Sequence, residues 1–294
     1  MEDGLYFRWT KVSVALVITL VIIASNTINL IVLYRMRDIG RRMKILLMSL
    51  CTSDLCLGLF VCMPGVISGV LSYWPFGPVM CQITGTMNGV AISVSLWSLM
   101  AIGVERYLVM KKSGVSKRKK NPTMVCLCVA FIWIFNTLFF GLPIAWEPNY
   151  IYYHYDPDVL TCSFTWKHTW HFMFAKFLYP ALSGTVIVFT SWQVRKPLPE
   201  PSLDEGQVTH VNWPDISERQ RKAKALLLCT TTVFFIAISP YSISSLLEHF
   251  LPDLTLPPWL RFLALWTLCT NCLMNVFIYS AVYTEFRNHC KHLF

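Results

Sequence analysis

Residues 12–34 read VSVALVITLVIIASNTINLIVLY, twenty-three positions without a charge. A bilayer core takes about 20 mainly apolar residues per helix, so this stretch is long enough to cross one. Working outward, six more runs of the same kind follow at 45–71, 79–109, 123–145, 169–194, 223–249 and 259–282. Only helices or closed barrels satisfy the backbone in lipid. These runs are too long and continuous for barrel strands, which alternate over about 10 residues. The sequence therefore predicts an all-α membrane protein, a seven-transmembrane helix bundle forming one domain over 1–294. The first run lacks the basic start and small-residue cleavage site of a signal peptide.

Composition points the same way. Hydrophobic residues make up 55% of the 294 and charged residues 14%, against about 25% charged in soluble domains. Mean hydropathy is +0.50. A soluble enzyme, a coiled coil and a disordered chain are excluded on these grounds. Most of the eleven cysteines lie inside the apolar runs, so they form no disulfide framework.

The net charge of +9 is distributed unevenly. Five Lys and Arg fall in 35–44, six in 111–120 and six in 195–224, and Arg287 and Lys291 follow the last span. The opposite side carries only Arg8, Lys11, Lys167, Lys176 and Arg261. Positive loops stay cytoplasmic, which predicts a plasma-membrane protein with its N-terminus outside and its C-terminus in the cytoplasm. The basic patch reads as topology plus attraction to the bilayer's anionic headgroups, with no nucleic acid partner. Residues 195–222, with Pro197, Pro199, Pro201 and Pro214, read as a flexible loop. No internal repeat is visible, which weighs against an inverted-repeat transporter.

Each span carries one residue that is costly in lipid or awkward in a helix: Asn26, Asp54, the triplet Glu105-Arg106-Tyr107, Trp133, Pro180, Pro240, and Asn275-Val276-Phe277-Ile278-Tyr279. In this order the set resembles the rhodopsin-like (class A) G-protein-coupled receptors, over nearly the whole chain. The resemblance is nearest the amine branch, histamine- and muscarinic-like, through Gly141-Leu142-Pro143-Ile144-Ala145-Trp146 and Pro240-Tyr241-Ser242.

The resemblance implies a disulfide between Cys81, 25 residues before Arg106, and Cys162 in the second outer loop. It implies a short amphipathic helix 8 over 283–293, with Cys290 as a lipidation site. It implies an allosteric sodium ion beside Asp54, Ser95, Asn271 and Asn275, all oxygen donors suited to a hard cation; otherwise no cofactor is expected. A protonated Asp54 that only joins helices is the plainer alternative. Glu105, Arg106, Tyr107 and Tyr279 match the family's switch toward a heterotrimeric G protein, in which the carboxylate holds the neighbouring guanidinium at rest.

Several switch positions depart from the family. Gln220 replaces a second acidic brake, Val188 a tyrosine, Ile238 a tryptophan and Val276 a proline. The lost brake predicts basal signalling, and the lost switch parts predict weak coupling. Survival of Arg106, Tyr279 and Asp54 tips the expectation toward basal activity. A weakly coupling scaffold or dimer partner, and less so a transporter, are the competing readings.

The ligand departs too. Amine receptors carry an aspartate 18 residues before the arginine, and here that position is Asn88. An amide offers no full negative charge to an ammonium. Lys176 sits four residues before Pro180. It either faces the bundle and pairs with an anionic ligand group, or snorkels to the interface. With Asn88, Ile92, Phe172, Lys176, Tyr241, Ser242 and Leu265 as lining, the expected ligand is a non-amine small molecule, anionic or lipid-like. Ser93, Phe177, Ser245 and Trp266 are further candidates. The position of the retinal lysine is Cys269, which argues against light sensing. No metal-ligand spacing, phosphate loop or nucleophile motif occurs, so no enzyme is expected.

Overall fold

The computed structural model describes residues 2–36, 39–111, 121–146, 153–164, 169–195, 213–251, 253–282 and 287. Helix α1 (Glu2–Arg35) is the first span; α2 (Arg41–Leu57) and α3 (Met63–Leu71) together form the second. Helices α4 (Gly77–Lys111) and α5 (Thr123–Trp146) are the third and fourth. A hairpin of β1 (Tyr153–Asp156) and β2 (Thr161–Phe164) follows. Helices α6 (Thr169–Met173) and α7 (Tyr179–Arg195) form the fifth span, α8 (Trp213–Phe250) the sixth and α9 (Pro258–Val282) the seventh. Six of these spans are long and apolar enough to cross a membrane. The 25 residues of α9 extend about 37 Å, enough for the seventh crossing.

Polarity is distributed as a lipid environment requires. Large apolar side chains such as Leu20, Leu127, Ile134, Leu182, Ile236 and Leu263 face outward. Thr19, Asn26, Asn29, Ser53, Asp54, Ser98 and Asn136 are fully buried. Lipid tails are as apolar as leucine, so close packing and interhelical hydrogen bonds hold such a bundle together. Trp133 Nε1 donates to Ser49 Oγ at 3.1 Å, and Ser49 meets Ser98 at 3.3 Å, joining spans two, three and four. Asn26 Nδ2 donates to the Cys272 carbonyl at 2.9 Å, joining spans one and seven. On α5, Phe131, Phe135 and Phe139 recur at i, i+4 and i+8, and Trp97 of α4 stacks on Phe135 at 5.7 Å.

The second and fifth runs, expected as continuous helices, are each interrupted by a π-helical turn, Gly58–Cys62 and Phe174–Leu178. Both turns end two residues before a proline, Pro64 and Pro180. Proline has no N–H to donate, and its ring crowds the carbonyl four residues back. A locally widened turn absorbs the mismatch. The sixth helix begins at Trp213, inside the segment expected to be a flexible loop. Pro214 next to its first residue, with Asp215 and Glu218 close behind, gives a favourable helix start. Helix 8 over 283–293 and Cys290 lie outside the described residues, Arg287 excepted.

Cys81 at the start of α4 is disulfide-bonded to Cys162 of β2, with Cα atoms 5.6 Å apart. Replacing either cysteine with serine is expected to cost about 2–4 kcal/mol. The double variant should be no less stable than the worse single one, because either change removes the whole crosslink. Thermal unfolding in detergent checks both statements.

Candidate functional site

The hairpin lies across one end of the bundle. Its strands pair antiparallel, with Tyr153 opposite Phe164 and Tyr155 opposite Cys162. Asp156 Oδ1 accepts from the Asp158 N–H at 2.9 Å, the side-chain turn that reverses the chain. Val159 and Leu160 then reach down into the core formed by Val12, Ala15, Val66, Phe262 and Trp266. Leu160 has a φ of 59°, and its carbonyl presses on Gly65 so closely that a Cβ there would have no room. Burial of Tyr153 and Tyr155 raises both phenols above their usual range, Tyr155 to about 12, so both stay neutral at ordinary pH.

Four side chains fasten this lid. Lys11 Nζ of α1 donates to the carbonyls of Pro157 and Asp158 at 3.1 and 3.2 Å. Trp266 Nε1 of α9 donates to the Val159 carbonyl at 3.0 Å. Gln82 Nε2 of α4 donates to the Tyr153 carbonyl at 3.2 Å. Arg261, near the start of α9, spends each of its three nitrogens on a different carboxylate. Nη2 meets Asp156 Oδ2 at 2.5 Å, Nη1 meets Asp158 Oδ2 at 2.9 Å, and Nε meets Glu248 Oε1 at 2.8 Å. One guanidinium thus ties the hairpin to spans six and seven.

Beneath the lid lies a cavity of about 330 Å³, within the size range of small-molecule sites. All seven residues expected to bind ligand line it: Asn88, Ile92, Phe172, Lys176, Tyr241, Ser242 and Leu265. Ser93 and Ser245 line it as well. Phe177 instead faces outward, 55% exposed, and Trp266 is buried behind the wall, pinning the hairpin. Lys176 turns into the bundle: its Nζ donates to Tyr241 Oη at 2.5 Å and lies 3.9 Å from the centre of that ring. Asn88 Oδ1 is a buried acceptor without a hydrogen bond. His249 stacks on Phe172 with ring centres 3.8 Å apart.

Deeper in the bundle, Asn275 Nδ2 donates to the buried Asp54 Oδ2 at 2.7 Å. Ser95 and Asn271 are buried nearby in the same layer. Ser95 and Cys272 also hydrogen-bond with Asp54, and Asn29 with Cys51, so the carboxylate sits in a closed polar layer. At the far end, Glu105 Oε2 meets Arg42 Nη2 of α2 at 2.8 Å. Neighbouring helix residues point about 100° apart, while α2 packs directly beside this face of α4. Tyr107 meets Phe189 edge to face at 6.2 Å. Tyr279 lies on α9, its side chain outside the described residues.

The ionic clamp on the lid is what residue patterns did not disclose. Arg261, Asp156, Asp158, Glu248 and Lys11 come from four separate segments. The one available signal was Arg261 itself, a lone cation just after Pro257-Pro258 at the head of an apolar run, which reads equally well as a topological charge. Among the described residues, no three His, Cys, Asp or Glu side chains gather as a metal site.

A seven-helix bundle with a disulfide-anchored lid over a small-molecule cavity is the architecture of a membrane receptor. The sequence model described as "7 transmembrane receptor (rhodopsin family)" matches residues 25–279, and the chain belongs to that family; it is a receptor and not an enzyme. Similar curated proteins include Trace amine-associated receptor 7c of Rattus norvegicus, 23% identical over 92% of this chain and 77% of that one. Trace amine-associated receptor 6 of the same species is 24% identical over 91% and 80%. The 5-hydroxytryptamine receptor 1 of Drosophila melanogaster is 36% identical, over 33% of this chain and 17% of its own length.

Arg261→Ala should remove the ionic tie of the hairpin to spans six and seven, leaving the Trp266 bond, and amide hydrogen exchange over 153–164 should speed up by about tenfold. Arg261→Lys should rescue little of that protection, because one ammonium on a flexible stem cannot hold three carboxylates at fixed angles.

Proposed function

We propose that the chain passes occupancy of the lidded cavity by a non-amine small molecule, an acid or lipid-like compound, to a heterotrimeric G protein. In this reading the hairpin end and the N-terminus face outside the plasma membrane, and the C-terminus faces the cytoplasm. The observation that carries the ligand class is Lys176, whose ammonium lies inside the cavity against Tyr241. An acid placed there would gain a charge-assisted hydrogen bond. The unused acceptor of Asn88 suits a hydroxyl or amide donor on the same molecule.

The names of the similar receptors invite an amine instead. Asn88 offers an ammonium no charge, and the two carboxylates lining the cavity, Asp156 and Glu248, are already engaged by Arg261. An amine entering would have to displace that guanidinium or lie beside the Lys176 cation. Both options cost electrostatic energy.

The layer around Asp54 fits a sodium ion. Asp54, Ser95, Asn271 and Asn275 supply hard oxygen donors, and Ser95 and Asn275 already meet the buried carboxylate. Such an ion would hold spans two, three and seven in the resting arrangement. Arg106 and Tyr279 would then act as the switch toward the G protein, while the Arg42–Glu105 pair fixes the carboxylate at that end. Gln220 stands where relatives carry a second acidic brake, which favours ligand-independent signalling.

Nucleotide exchange on G protein in cell membranes, at matched surface expression, tests the coupling. Wild type should show basal exchange that Arg106→Ala reduces to background. Equal exchange in the two would sink the switch assignment. Asp54→Asn should abolish any sodium dependence of that exchange. For the ligand class, hexanoate should raise the melting temperature of purified wild type and leave Lys176→Gln unchanged; a primary amine that stabilises both equally would exclude the acid reading.

A further inference from the structure

We propose that the natural ligand is a single-chain acid amphiphile that reaches Lys176 from within the bilayer, along a groove between spans five and six. The proposal rests on the acid reading of the cavity and adds to it the shape of the ligand and its route.

The groove has a volume of about 620 Å³ and runs down the lipid-facing side of α7 against Phe235 of α8. Pro180, Gly184, Val188 and Trp192 line it at i, i+4, i+8 and i+12, a single helix face about 18 Å long. Val188 and Trp192 are 54% and 56% exposed, so the trough lies open to acyl chains. Gly184 forms its narrow point, where a Cβ would meet the Phe235 ring at 2.9 Å. Thr185, which also lines the groove, turns its hydroxyl back to the Ala181 carbonyl at 2.8 Å. The lining thus has no polar demand on an occupant.

Groove and cavity lie on either side of one residue, Pro180, which lines both. Lys176 precedes it by four residues in the same span. The π-helical turn Phe174–Leu178 carries Lys176, and its ammonium points inward to Tyr241. An acid group crossing the Pro180 wall therefore arrives at a cation, with its chain still in the trough. The opposite route is covered by the hairpin, which the disulfide, Lys11, Trp266 and the Arg261 clamp hold across that end.

The test uses the full receptor in phosphatidylcholine nanodiscs and a palmitate analogue bearing a diazirine on its chain, with the photolabel mapped by peptide mass spectrometry. Label should concentrate on 180–192 and near Phe235, and excess oleate should compete it away. Lys176→Gln should reduce it by about tenfold, the factor expected for losing a hydrogen bond to a charged group. Thr185→Trp, which fills the trough without touching the cavity, should reduce it similarly while leaving stabilisation by hexanoate intact. Label spread evenly over the lipid-facing helices, or unmoved by oleate and by both substitutions, overturns the groove. Hexanoate binding that depends on Lys176 without groove labelling also overturns it but spares the acid reading. If neither acid binds in a Lys176-dependent way, both fall.

Discussion

A backbone amide in hydrocarbon has no water to turn to, and that constraint shapes most of this molecule. Each span must satisfy its own peptide groups, so each is a helix. Pro143 and Pro240 sit inside uninterrupted helices. Before Pro64 and Pro180 the helix instead widens, in the two π-helical turns at Gly58–Cys62 and Phe174–Leu178. The second of them carries Lys176, whose ammonium then lies in the bundle instead of at the membrane rim. A backbone necessity thus sets the chemistry of the cavity.

The hairpin end is held by packing, with Val159 and Leu160 set into the core, and by directional contacts: one disulfide, the carbonyls that receive Lys11 and Trp266, and the clamp on Arg261. Arg261 is suited to this because its planar fork serves three carboxylates at once. Its partners belong to the hairpin and to span six, so the position of the lid and the position of that span are mechanically linked. At the other end, the Arg42–Glu105 pair joins spans two and three.

The departures from the family pattern form a consistent set when placed in space. Asn88 removes a negative charge from one wall of the cavity, and Lys176 adds a positive one on another. The remaining acids, Asp156 and Glu248, are neutralised by a guanidinium. Ile238, where a tryptophan was expected, lines the cavity floor and leaves it apolar. In the proposed reading the cavity favours an acid over an amine, while the buried layer at Asp54 retains Ser95, Asn271 and Asn275.

The sequence by itself determined the number of helices and the class of receptor, because both follow from apolar run length and from costly polar residues recurring in a fixed order. The resemblance to the family added the Cys81–Cys162 pairing and seven residues that line the cavity among others. It did not determine the direction of Lys176, since a long flexible stem at the membrane edge can turn either way until the neighbouring helix supplies Tyr241. Nor did it determine the partner of Glu105 or the clamp at Arg261. Those bonds join residues far apart in the chain, and only the packing of helices against one another and against the hairpin brings their charges within reach.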